Sequence, residues 1–161
     1  MTFLDLPPGW PARSLRDLRL AADVVDLVVR DSDRASGCLA LLLCDDDGRM
    51  IEPVTVADVP LGAAADERAA FFDAFLGHLG RSLGSVVFVV GRPGGLALTD
   101  DTRDWHESAV QAARREGVEL IATYLATDEG VVLLPTLTEQ GLASWPLRPA
   151  PSPDDGVRRR R

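Results

Sequence analysis

The chain contains no lysine and no asparagine, and isoleucine occurs only at Ile51 and Ile121. All 17 basic residues are therefore arginine. The depleted residues share AT-rich codons, so the bias predicts a GC-rich bacterial genome and says nothing of mechanism. Without lysine there is no Lys-Ser/Thr ending of a phosphate-binding P-loop. Cysteine occurs twice, at Cys38 and Cys44, on either side of a five-residue apolar run. A strand over that run sets the two thiols roughly 20 Å apart. A disulfide needs Cα atoms within about 7 Å, so the pair cannot bridge. Their spacing fits no zinc pattern, and both are expected as reduced core residues. No segment approaches the ~18 continuous apolar residues that span a bilayer. The opening MTFLDLPPGWPARSL lacks the basic region and apolar run of a secretory signal. A cytoplasmic location without membrane contact is expected.

The length of 161 residues suits one domain with a proper core. The net charge of −8 is uneven: residues 1–134 hold 12 arginines against 22 acids, and residues 135–161 hold 5 against 3. An acidic folded part repels phosphate backbones, which argues against nucleic acid as its partner. The closing Arg158–Arg161 run predicts at most weak, salt-sensitive contact with nucleic acid or anionic lipid.

Periodicity divides the first 134 residues into alternating elements. Leu15, Leu18, Ala22, Val25 and Val29 form a stripe at helical spacing, with Ser14 and Asp17 resembling a capping box. Asp31-Ser32-Asp33 is expected to end that helix. Cys38 to Cys44 is continuously apolar and predicts a strand covered on both faces. Asp47-Gly48 is a tight-turn pair leading into a second strand over about Arg49 to Val56. Pro53 removes a ladder donor there, so that strand belongs at an edge or at a bulge, and the edge offers a surface for a homodimer. A helix comes next, from about Asp66 to Leu83, with Phe72, Phe75, Leu76 and Leu79 on one face and Arg81 in its last turn. Ser85 to Val90 is a second apolar strand, and Gly91 to Leu98 a loop. Thr99, Asp100 and Asp101 open another helix that Gly117 stops. Val118 to Leu125 and Val131 to Leu134 pair through the turn at Thr127-Asp128-Glu129-Gly130. Residues 135–161, rich in proline, read as a flexible tail that Trp145 pins back onto the domain. The fold class expected is α/β, a single three-layer domain with a mixed central sheet flanked by helices.

The stretch from Ser85 to Leu134 carries a resemblance. Strand, Gly-Arg-Pro-Gly-Gly loop, acid-capped helix and hairpin are laid out as in the JAB/MPN family, in particular its RadC-like branch. The similarity extends upstream through CLALLLCDDDGRMIEPVTV and ERAAFFDAFLGHLGRSLGSVVFVV, over roughly residues 15–134. It implies a JAB/MPN or deaminase-like arrangement. In the family, a His-x-His-Pro-Ser-Gly loop and a downstream aspartate bind zinc, and an upstream glutamate acts as base. Here Val90 and Arg92 fall at the histidine positions, and arginine offers a metal no lone pair. Asp101 or Asp104 stands near the aspartate position, and Glu52 is the nearest match to the glutamate.

The resemblance thus implies a domain without the family's zinc site, with no cofactor, acting as a binding or scaffold module for a protein partner. Arg92, Gly94 and Gly95 of the loop and Asp100, Asp101, Asp104 and His106 of the next helix form the candidate contact surface. Arg92 is expected to pair internally with Asp100, Asp101 or Asp104, standing in for the metal. Two other classes remain: a metal-dependent hydrolase with a non-standard site around these acids and His106, and a DNA-associated accessory protein using the arginine tail. His78 and His106 read as ordinary surface histidines, Asp45-Asp46-Asp47 as a solvated turn, and no nucleophile elbow occurs.

Overall fold

The computed structural model describes residues 6–79 and 83–135, and side chains up to residue 77 in the first stretch. The expectations for Trp145, the arginine run, the helix end at Arg81 and the face of His78 lie outside the described residues. Among the described residues, a short 3-10 turn at Trp10–Ala12 precedes four α-helices and five strands, in the order α1 (Leu18–Val28), α2 (Asp31–Ser36), β1 (Cys38–Cys44), β2 (Met50–Ala57), α3 (Ala65–Leu79), β3 (Ser85–Gly91), α4 (Asp100–Glu116), β4 (Glu119–Thr127) and β5 (Gly130–Leu133).

The two continuously apolar runs are the reason for the architecture. Every residue of β1 and of β3 is buried, so both strands need cover on both faces. Burying one Leu or Phe side chain stabilises by roughly 1.5–3 kcal/mol, far more than strand propensity supplies. The sheet order is β2-β1-β3-β4-β5. β1 runs antiparallel to β2 and β3, β3 runs parallel to β4, and β4 turns back antiparallel into β5. Side chains alternate between the layers. Ala40, Leu42, Val87, Val89 and Tyr124 face a cluster with Val24 and Val25 of α1. Leu39, Leu41, Phe88 and Val90 face Phe72, Leu76 and Trp105 of α3 and α4. The result is the three-layer α/β domain with a mixed sheet that the pattern predicts. Pro53 lies on β2, an edge strand, where its missing N–H costs no ladder bond.

Two readings are corrected. Leu15 is buried but precedes α1, and Leu18 within the helix is 41% exposed. Asp17, not Ser14, is the cap: its Oδ1 accepts from the Arg19 and Leu20 amides, which starts the helix later and rotates its buried face onto Leu20, Ala21, Val24 and Val25. Asp31-Ser32-Asp33 does not simply end a helix; it opens α2, where acids in a first turn are favoured. α2 carries the buried Arg34, whose guanidinium donates to the carbonyls of Val29, Asp26 and Thr127 and to the Asp26 carboxylate. This one side chain joins the end of α1 to the end of β4.

Cys38 and Cys44 are free thiols buried at opposite ends of β1. Among the described residues no helix is long and apolar enough to cross a membrane.

Candidate functional site

β3 and β4 are parallel neighbours, so the loop leaving β3 and the turn leaving β4 emerge at the same end of the sheet. Arg92, Gly94 and Gly95 lie in that loop. The Arg92 amide donates to Ala126 O at 3.0 Å, fixing the loop's exit from the strand. Gly94, at φ +101, adopts a conformation that side chains rarely accept. Its amide donates to Asp128 Oδ1 at 3.1 Å, and the Glu129 carboxylate lies beside Gly95. Loop and turn are therefore tied together by Asp128, with Glu129 alongside, two acids that sequence alone presents only as turn residues.

Among the described residues the Arg92 guanidinium makes no ion pair with an acid. It donates to Ala97 O, to Pro93 O at 3.1 Å and to Thr102 Oγ1 at 3.4 Å. The expected pairing with Asp100, Asp101 or Asp104 is therefore wrong. The cause is local. A loop of this tightness leaves carbonyls pointing inward, and a five-donor cation satisfies several of them at once. Thr102 then links Arg92 to the helix cap, since Thr99 Oγ1 lies 3.0 Å from Thr102 Oγ1 and accepts from the Thr102 amide at 3.2 Å.

The three aspartates do not converge. Asp100 is exposed and meets Arg103 at 3.5 Å. Asp101 is exposed near Gly62. Asp104 is half-buried and lines a polar groove of about 170 Å³ between α3 and α4, with Arg68, Ser108 and Arg115. His106 lines a different groove, of about 380 Å³, beside Leu98, Val110, Leu134 and Pro135. Residues two apart on a helix do not share a face, which is why Asp104 and His106 serve separate grooves.

His106 is half-buried rather than a surface residue, and its Nδ1 lies 2.7 Å from the hydroxyl of the fully buried Thr123. Burial pulls its imidazole below the ordinary value of 6.5, opposed by the Glu107 charge. Neutral imidazole is therefore favoured, which suits a fixed hydrogen bond more than an ion pair.

The positions that would match the family's metal ligands do not fit a zinc ion. Val90 is buried in the layer between sheet and helices, and Arg92 is occupied by its own loop. Glu52 pairs with Leu43, which pairs with Val86, while the loop leaves from Gly91. Five residues of strand, about 17 Å, separate that register from the loop. Among the described residues no three His, Cys, Asp or Glu side chains converge as metal ligands. No protein-family model matches the sequence, and no curated protein matches it at a significant level.

Proposed function

We propose that this chain is a RadC-like JAB domain that has exchanged its metal site for an arginine brace and serves as a non-hydrolytic binding module. The observation that carries the reading is Arg92. Its guanidinium spans the loop from Pro93 O and Ala97 O to Thr102 Oγ1, where the resemblance would place a metal ligand. A metal in such a loop supplies charge and cross-links the chain, and a fixed guanidinium supplies both without activating water. From α2 onward the order is helix, hairpin, helix, strand, helix, hairpin, the layout on which the resemblance rests.

The contact surface of the module is the braced loop with its Asp128–Glu129 buttress, bordered by the exposed Asp100 and Asp101. Its acidic border suits a protein partner with a basic patch better than a nucleic acid. The scattered positions of Asp100, Asp101, Asp104 and His106 give no support to a rebuilt hydrolase centre.

Thermal melts of the full chain with and without added zinc test the reading. A specific site filled at 100 times its Kd would stabilise by about 2.7 kcal/mol. The proposal expects no zinc-dependent rise in Tm. A saturable rise abolished by Asp101→Asn or His106→Ala would overturn it.

A further inference from the structure

We propose that Pro53 keeps a second copy of this chain from adding a strand to the β2 edge of the sheet. β2 is an end strand, paired only with β1 among the described residues. Such an edge presents a row of N–H and C=O groups on which another strand can be templated. The composition of β2 favours that pairing. It carries Ile51, Val54, Thr55 and Val56, all β-branched, and Glu52 is its one charge. Ile51 is 60% exposed, and Pro53 and Thr55 are exposed as well.

The bonding of β1 fixes which groups of β2 face outward. Cys44 O accepts from the Gly84 amide at 3.2 Å on the β3 side, and the Asp45 amide donates to Arg49 O at 2.9 Å on the β2 side. Main-chain groups alternate sides along a strand, so Leu42, like Cys44, turns its N–H and C=O to β3. Leu42 stands opposite Pro53, and the two therefore form a pair without hydrogen bonds. The main-chain groups of Pro53 point away from β1, and those of Thr55 and Ala57 follow at the same two-residue step. This outward row is short. At one end the register shifts between Leu43 and Cys44, where Ile51 has no partner. At the other, Asp58 at φ 57 takes the chain out of the extended conformation. A strand that uses the whole row, parallel or antiparallel, must pair with Pro53 and loses a ladder bond there. When that strand is β2 of a second copy it brings its own Pro53, and the loss falls on both chains. A register that avoids Pro53 keeps only Thr55 and Ala57. On the inner side the proline costs nothing, because Leu42 asks no donor of it. The edge is thereby closed to the homodimer that its strand pattern favours.

Light scattering and amide exchange on the tag-free full chain test this, with Pro53→Ala and Pro53→Thr as variants. Pro53→Ala adds the N–H and removes ring carbons, so any association it gains comes from the donor. The proposal expects the average mass of both variants to climb with concentration above that of the unmodified chain, toward a doubling. It expects exchange at the Thr55 and Ala57 amides to slow in step with that climb. Unchanged protection of the β1 and β3 amides reports that the fold survives. In the unmodified chain, Thr55 and Ala57 should exchange rapidly at every concentration. Variants that match the unmodified chain in mass and exchange would overturn the proposal. So would association by Pro53→Thr alone, which assigns the effect to the side chain. Protected Thr55 and Ala57 amides in the unmodified chain would overturn it too, since the edge would then be covered already.

Discussion

Arg34→Ala is the substitution whose cost is tied most directly to the geometry. The side chain is 6% exposed and makes four hydrogen bonds, to Val29 O (3.0 Å), Thr127 O (2.8 Å), Asp26 O (3.3 Å) and Asp26 Oδ1 (3.0 Å). Breaking a buried charge pair by removing one partner typically costs about 3–5 kcal/mol. The Asp26 carboxylate is 20% exposed and rehydrates in part, so the lower end applies. The Val29 and Thr127 carbonyls keep the remainder, at roughly 1–3 kcal/mol for each buried group left unsatisfied. The expected loss is about 3 kcal/mol. Urea denaturation should show it as a midpoint lowered by about 1.5 M at unchanged slope, taking ~2 kcal/mol/M for a domain of this size. Arg34→Met restores the apolar stem without the donors and should recover only about 1 kcal/mol. A loss below about 1 kcal/mol for Arg34→Ala, or full recovery by methionine, would refute the reasoning. Thr127 O is also where Arg34 steadies the β4–β5 turn behind the candidate loop, so Arg34→Ala should speed amide exchange at Gly94.

A Cβ added at Gly91 would collide with Cys38 Sγ, so Gly91→Ala should cost about 1–3 kcal/mol in chemical denaturation. Adding Cys38→Ala should recover part of that loss, giving a non-additive double-mutant cycle. Burial pushes the thiols up to about 11 at Cys38 and about 12 at Cys44. Neither should react with a disulfide reagent at neutral pH until the protein unfolds. His106 has its folded pKa depressed below 6.5, first by burial, so the unfolded chain takes up the proton first on acidification. Stability should therefore fall as pH drops below about 6.5, and this contribution should level off beneath the folded pKa. His106→Gln should flatten the stability–pH profile in that window. The carboxylates of Glu119, held down by Arg16, and Asp45, held down by the Arg49 amide, lose their contribution only at lower pH, as it falls through their folded values.

The strands β1 and β3 are legible in the sequence because burial on both faces leaves Ser85, at the very start of β3, as their one polar residue. α4 is legible because Thr99 and Gly117 are local signals that need no tertiary context. The phase of α1 is not, because Leu15 is buried for another reason. Its neighbour Ser14 bridges to Arg49 across the β1–β2 hairpin, which lies far away in sequence. The loop around Arg92 is legible as a loop, but not what holds it. Asp128 and Glu129 reach it only because β3 and β4 are adjacent and parallel, a pairing that single-strand patterns do not carry. The inward carbonyls that capture Arg92 are likewise a property of loop conformation, so a charge count alone favours an acid partner. The separation of Asp104 from His106 is in the spacing itself, since two residues on a helix turn by about 200°.

The central claim is that the braced loop holds no metal. Elemental mass spectrometry of purified, tag-free full chain, after brief dialysis against buffer without chelator, measures it. No metal near one per chain is the predicted result. Zinc near one per chain, lost on His106→Ala or Asp101→Ala, would contradict it.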